Sequence, residues 1–147
     1  MKKLLSAQVA AGLLVAAFSL LMLLHVLGLR GLVPLELIWG KGIANLPISP
    51  LTVEFLSLTV LALFIAVIAA RAGWLPSHAP KITAAAVWLL FALLLFHGIL
   101  DLIDPVLNMP LFLRPFTLIL ALLTLRLALS EIPSSGQGKN EKNHDGN

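Results

Sequence analysis

Residues 51–70 read LTVEFLSLTVLALFIAVIAA, a run of apolar side chains in which Glu54 is the one ionisable group. Pro50 precedes the run and Arg71 follows it. A helix needs roughly 20 apolar residues to cross a hydrocarbon layer about 30 Å thick. The run therefore predicts a transmembrane helix.

Three further segments have the same character, at about residues 4–28, 82–100 and 111–129, and each is bounded by Pro, Gly or charge. The chain is 59% hydrophobic and 12% charged, whereas soluble domains carry about 25% charged residues. There are too few polar side chains to cover a soluble core. We expect an all-α integral membrane protein, an antiparallel four-helix bundle with four spans within residues 1–132.

Residues 133–147 contain no apolar side chain after Pro133, so they cannot recover the entropy lost on ordering. They predict a disordered cytoplasmic tail. The apolar run after Met1-Lys2-Lys3 is longer than a signal-peptide core and lacks a convincing small-residue cleavage site. It is therefore interpreted as an uncleaved span.

Four spans place both termini and the connection between the second and third helices on one side of the membrane. That side carries most of the basic residues, namely Lys2, Lys3, Arg71, Lys81, Arg126, Lys139 and Lys142. The other side carries Arg30, Lys41 and Arg114. The positive-inside rule then predicts cytoplasmic N- and C-termini, in a bacterial inner (plasma) membrane.

The connection from Leu29 to Pro50 is too apolar for a free loop, and its prolines and glycines prevent it from spanning. We expect a structured extracytoplasmic loop that lies in the interface or folds back over the helices. Trp39 and Gly40 form its most distinctive motif. An interfacial Trp followed by a flexible turn is the plainer interpretation of this motif, and close approach of a ligand to the backbone is the alternative.

Small residues at a spacing of four suggest where helices approach each other, since close packing drives association in membranes. Gly12 with Ala16 marks such a face on the first helix. Ala62, Ala66 and Ala70 mark one on the second.

Ionisable residues concentrate in the extracytoplasmic half of the predicted spans. An ionisable group inside a span costs about 2.5 to 3.5 kcal/mol, so each one present needs a partner or a purpose. The spacing of His97, Asp101 and Asp104 places all three on one helical face that can point inward. The predicted polar network comprises Glu54, His97, Asp101, Asp104 and Arg114, with His25 at the same level.

Three interpretations of this network stay open. It can be structural, with Arg114 paired to Asp101 or Glu54 and His97 donating to a carboxylate. It can be a divalent metal site, because two imidazoles and two carboxylates suit zinc and similar ions; the candidates are His25, Glu54, His97 and Asp101. It can be a proton or small-molecule pathway in which carboxyls exchange protons through a histidine.

Catalysis is the least favoured function. The chain has no cysteine, which excludes thiol nucleophiles and thiolate metal sites, and its serines lack a nucleophile-elbow context. The basic residues are scattered, so nucleic acid is not an expected partner. We expect no cofactor, and we expect the lipid bilayer as the main partner, with a homo-oligomer or another membrane protein left open.

Two short stretches, Glu36-Leu-Ile-Trp-Gly40 and Val53-Glu-Phe-Leu-Ser57, resemble motifs of small bacterial four-helix integral membrane proteins of unknown function. The resemblance extends from His25 to Leu129 and singles out Trp39, Gly40 and Glu54. Where such proteins tend to have paired glycines, this chain has Lys41 between Gly40 and Gly42. The resemblance implies a fold and a membrane location, and it carries no known activity. The sequence thus predicts a structural or interaction role, with a small transporter or metal-binding component as the alternative.

Overall fold

A computed structural model describes residues 6–34, 38, 48–76, 79–103 and 114–130, apart from the side chains of Asp101 and Arg114. Four helices account for most of this part of the chain, and it contains no strand. They are α1 (Ala7–Leu29), α2 (Pro50–Arg71), α3 (Pro80–Ile103) and α4 (Arg114–Ala128). The prediction of an all-helical chain is confirmed over these residues.

Local sequence signals set the helix ends. Ser6 caps α1, with its hydroxyl accepting a hydrogen bond from the Val9 amide at 3.2 Å. Pro50 is the first residue of α2, a position at which a backbone N–H would have no partner within the helix. Helices α1 and α2 end in the same way, each followed by a glycine at positive φ, Gly31 at 69° and Gly73 at 79°. The amides after these glycines bond back into the last turn, which satisfies carbonyls at the helix end.

Contacts between the helices fix their directions. Gln8 at the start of α1 bonds to the residue that follows α2, and His25 near the end of α1 bonds to Glu54 near the start of α2, so these helices are antiparallel. Gly98 late in α3 packs on Leu118 early in α4. Arg71 at the end of α2 bonds to the last carbonyls of α4. We call the two ends of the helix set the His25 end and the Arg71 end.

Each helix packs mainly against two others. The most extensive contact joins α3 to α4, followed by α1 with α2, α1 with α4, and α2 with α3. The core at the centre draws large side chains from all four helices: Leu14, Phe18, Leu61, Ile68, Val87, Leu90, Leu120 and Leu127. The rings of Phe18 and Phe64 lie 5.7 Å apart in a tilted pair between α1 and α2.

Glycine and alanine contribute to packing in a different place from the one predicted. Ala16, Ala62 and Ala66 are exposed, and a methyl group built on Gly12 would meet nothing within 4 Å. The expectation that these four residues form the helix contacts is therefore wrong, whereas Ala70, the last of the predicted set, is half-buried. The close approach lies at Gly98, where an added methyl group would come within 2.6 Å of Leu118.

Three helices are long and apolar enough to cross a membrane: Ala7–Leu29, Pro50–Arg71 and Pro80–Leu100. In the most apolar window of each, 28%, 17% and 17% of the residues are buried inside the protein, so most of these apolar side chains face outward. Helix α4 has 15 residues and a length of about 22 Å at 1.5 Å per residue. Residues 111–113 of the predicted fourth span lie outside the described part of the chain.

Candidate functional site

The His25 end contains a buried pair of titratable side chains. His25 is 4% exposed, Glu54 is fully buried, and His25 Nδ1 lies 2.6 Å from Glu54 Oε2. The ring nitrogen donates this hydrogen bond when the carboxyl is ionised, and the contact becomes an ion pair when the imidazole is protonated as well. The pair joins the last turns of α1 to the first turns of α2.

Helix geometry explains why these two residues meet. Because α1 and α2 are antiparallel, a residue shortly before the end of one lies level with a residue shortly after the start of the other. Each side chain points toward the interior with the neighbouring core residues of its helix. An isolated charge at such a depth is unfavourable, and a hydrogen-bonded partner offsets much of the penalty.

The structure places the other predicted network residues as follows. His97 is exposed on α3, so the prediction that its face points inward does not hold at this position. The side chains of Asp101 and Arg114 lie outside the described residues, as do Asp104 and the loop motif of Trp39 and Gly40. Of the candidates whose side chains are described, the structure brings together His25 and Glu54.

A metal ion needs more ligands than this pair offers. Structural zinc sites take four ligands, and catalytic sites take three from the protein. Within the described ranges, no group of three or more His, Cys, Asp or Glu side chains is arranged to hold one ion. The described geometry is that of a hydrogen-bonded side-chain pair between two helices.

The Arg71 end contains a second buried polar group, although the sequence marks Arg71 only as one of the basic residues that indicate topology. Arg71 is 7% exposed. Its Nε donates to the Leu127 carbonyl at 3.5 Å, and its Nη2 donates to the carbonyl of Ala128 at 3.0 Å and to that of Ser130. The last carbonyls of a helix have no partner within the helix, and a cation at this end also complements the helix dipole. Arg71 therefore ties the end of α2 to the end of α4.

Gln8 makes a further link at the Arg71 end. Its Nε2 donates to the Ala72 carbonyl at 3.0 Å, and its Oε1 accepts from the indole Nε1 of Trp74 at 2.8 Å. The start of α1 is thereby joined to the turn that follows α2. Trp74 is 48% exposed.

The sequence alone does not identify Gln8 and Arg71 as links between helices. Most of their hydrogen-bond partners are backbone carbonyls, which every residue carries. A signal for Arg71 does exist, since it occupies the last turn of a long apolar run. The sequence does not show which helix end receives its guanidinium. That choice depends on how the helices are arranged in space.

Several hydroxyl groups on the helices bond to their own backbone. Ser57 donates to Val53 O at 2.9 Å, Thr59 to Phe55 O at 2.9 Å and Thr124 to Leu120 O at 2.8 Å. This pattern satisfies a hydroxyl without water. Thr59 is exposed on α2, so its internal bond suits an apolar solvent.

No protein family model matches this chain, and neither does any curated protein or solved structure.

Proposed function

We propose that the chain is a multi-pass integral membrane protein, an antiparallel bundle of four spans, with a structural or interaction role. The observation that supports it best is the distribution of polarity. The outward faces of the helices are mostly apolar, whereas the buried side chains of His25, Glu54 and Arg71 bond to one another or to a helix end. Hydrogen bonds of this kind hold helices together in lipid, where the hydrophobic effect does not drive helices to associate.

The exterior supports the membrane part of the proposal. Leu63 is 60% exposed, Phe96 62% and Leu122 65%, and these residues come from three different helices. Large apolar side chains are exposed along all four helices, which is unfavourable in water. In a bilayer it is the expected surface.

The fourth span is supported by the Arg71 contact. Arg71 holds the carbonyls at the end of α4 level with the end of α2, so the two helices finish at the same membrane face. Residues 111–129, the predicted span, would extend for about 28 Å at 1.5 Å per residue, close to the thickness of the hydrocarbon layer. An even number of spans then leaves both termini on one side, which the basic residues favour as the cytoplasm.

Cysteine labelling tests location and orientation together, because the chain has no cysteine of its own. Single variants Ser134→Cys and Asn45→Cys are treated with a membrane-impermeant maleimide, on intact cells and on inverted vesicles. We expect Asn45→Cys to label in intact cells and Ser134→Cys to label in inverted vesicles. Reversed labelling would refute the orientation, and release of the protein by alkaline carbonate would refute membrane integration.

A small transporter or metal-binding component is the second candidate, and the buried His25–Glu54 pair is the observation that favours it. Buried ionisable groups in membrane spans often mark ion or proton pathways. A thermal-shift screen of the detergent-purified protein with divalent metals distinguishes the candidates. A structural pair predicts no metal-dependent shift, whereas a shift that disappears in both Glu54→Gln and His25→Ala would favour the metal site.

A further inference from the structure

His97 occupies an unusual position on α3. It lies seven residues after Leu90, about two helical turns, so the two side chains share a face. Leu90 is 2% exposed, whereas His97 is exposed. Among the described residues, no hydrogen bond or ion pair involves the His97 ring.

His97 lies within the proposed membrane span. From Pro80, the first residue of α3, to His97 the helix rises about 26 Å at roughly 1.5 Å per residue. A hydrocarbon layer about 30 Å thick that begins at the first turn of α3 therefore contains His97. His97 then lies about 4 Å inside the far boundary of that layer, and a partner that bonds to its ring there offsets the cost of its exposure to lipid.

The surface around His97 is apolar and continuous. Leu93 is 44% exposed and Leu100 is 40% exposed, and they lie four residues before and three residues after His97, on the same side of the helix. Phe96, at 62%, borders this side. We call the surface formed by Leu93, His97 and Leu100 the α3 face.

We propose that two copies of this chain pair through the α3 face, with the His97 ring of one copy bonded to the His97 ring of the other. The inference rests on the proposed membrane integration. Copies inserted in the same orientation are related by a two-fold axis along the membrane normal, so each residue on the axis meets its own counterpart. The second copy thus supplies an imidazole at the required depth.

The chemistry of the pair is self-complementary. A neutral imidazole carries one N–H donor and one nitrogen acceptor. One ring can donate to the other within an apolar contact of leucines, as histidines do between helices in membranes. No residue other than those of the α3 face is required.

Disulfide cross-linking in native membranes tests which face pairs, with Leu93→Cys as the probe and Leu95→Cys as its matched control. Leu95 is 37% exposed and lies two residues away at a similar depth, on the opposite side of α3. Mild oxidation should produce a covalent dimer with Leu93→Cys and little with Leu95→Cys. Equal cross-linking, a preference for Leu95→Cys, or no dimer with either variant would overturn the proposal.

The role of His97 is tested in the Leu93→Cys background. His97→Ala should lower the dimer fraction roughly threefold to tenfold, the effect of one interhelical hydrogen bond in a membrane. His97→Asn should retain more of it, because an amide also donates and accepts. An unchanged dimer fraction in His97→Ala would overturn the histidine pair.

Carbonate extraction of the same samples separates this inference from the one on which it rests. Protein that resists extraction but stays monomeric would overturn the α3 pairing and leave membrane integration standing. Protein that is released by carbonate would overturn both.

Discussion

The His25 end and the Arg71 end both join neighbouring helices through buried polar side chains, but the hydrogen-bond partners differ. At the His25 end, a histidine and a glutamate from neighbouring helices bond to each other. At the Arg71 end, one guanidinium bonds to backbone carbonyls at the end of α4, and a glutamine joins α1 to the turn after α2. Both ends bury polar groups, but the acceptors are a side chain in one case and the backbone in the other.

This difference determines what mutation can reveal. A side-chain pair can be removed as a unit, and replacing both partners by apolar residues of similar volume is often nearly neutral. A contact to carbonyls has one mutable partner, so no second substitution can compensate for its loss.

The largest effect is expected at the His25 end from a single substitution. His25→Leu removes the ring that bonds to Glu54 while the carboxyl stays buried, and breaking a buried pair in this way costs about 3 kcal/mol. Unfolding in mixed detergent and SDS micelles measures the loss. A change below about 0.5 kcal/mol, the usual range for surface substitutions, would mean that the pair contributes little.

Arg71→Met should lower the unfolding free energy by about 2 kcal/mol, because hydrogen bonds from a charged donor contribute more than neutral ones. Methionine retains much of the buried volume. Arg71→Lys should recover part of the loss, since one ammonium cannot reproduce the planar fork of donors. Equal stability of the lysine variant and the wild type would show that charge alone matters at this end.

Gly98→Ala should destabilise the α3–α4 contact by about 1 to 2 kcal/mol, the usual range for overpacking. The added methyl group would lie 2.6 Å from Leu118 Cδ2 and 3.2 Å from the Leu118 backbone nitrogen. Gly12→Ala is the matched control, because nothing lies within 4 Å of the added group. Equal effects of the two substitutions on thermal unfolding would contradict the close approach at Gly98.

The smallest effect is expected from Gln8→Leu, at about 1 kcal/mol for hydrogen bonds at a partly exposed site. The same substitution releases the indole of Trp74, so the fluorescence of a variant that retains only this tryptophan should change. Trp39→Phe and Trp88→Phe provide that background. An unchanged emission spectrum would contradict the link between Gln8 and Trp74.

Much of the fold follows from hydrophobic length and from Pro and Gly at the boundaries. The predicted runs at 51–70 and 82–100 correspond to α2 and α3, which begin at Pro50 and Pro80. The faces through which helices pack are harder to predict. Alanine is so common in these helices that alanines four residues apart do not identify a contact face. The buried faces are set by larger side chains such as Leu14 and Ile68.

The candidate site was predictable in part. Glu54 and His25 stand out because an ionisable residue in an apolar run requires a partner, and the structure brings them together. Spacing alone does not predict the orientation of His97. Residues that share a helical face can also point away from the neighbouring helices. Arg71 was missed because its acceptors are backbone carbonyls.

Whether the buried pair is structural can be tested with the double variant His25→Leu/Glu54→Leu in liposomes. We expect this variant to fold, to recover most of the stability lost in His25→Leu, and to leave proton and divalent-metal flux no different from the wild type. A folded double variant that loses a flux measured in the wild type would contradict this expectation and establish the pair as a functional site.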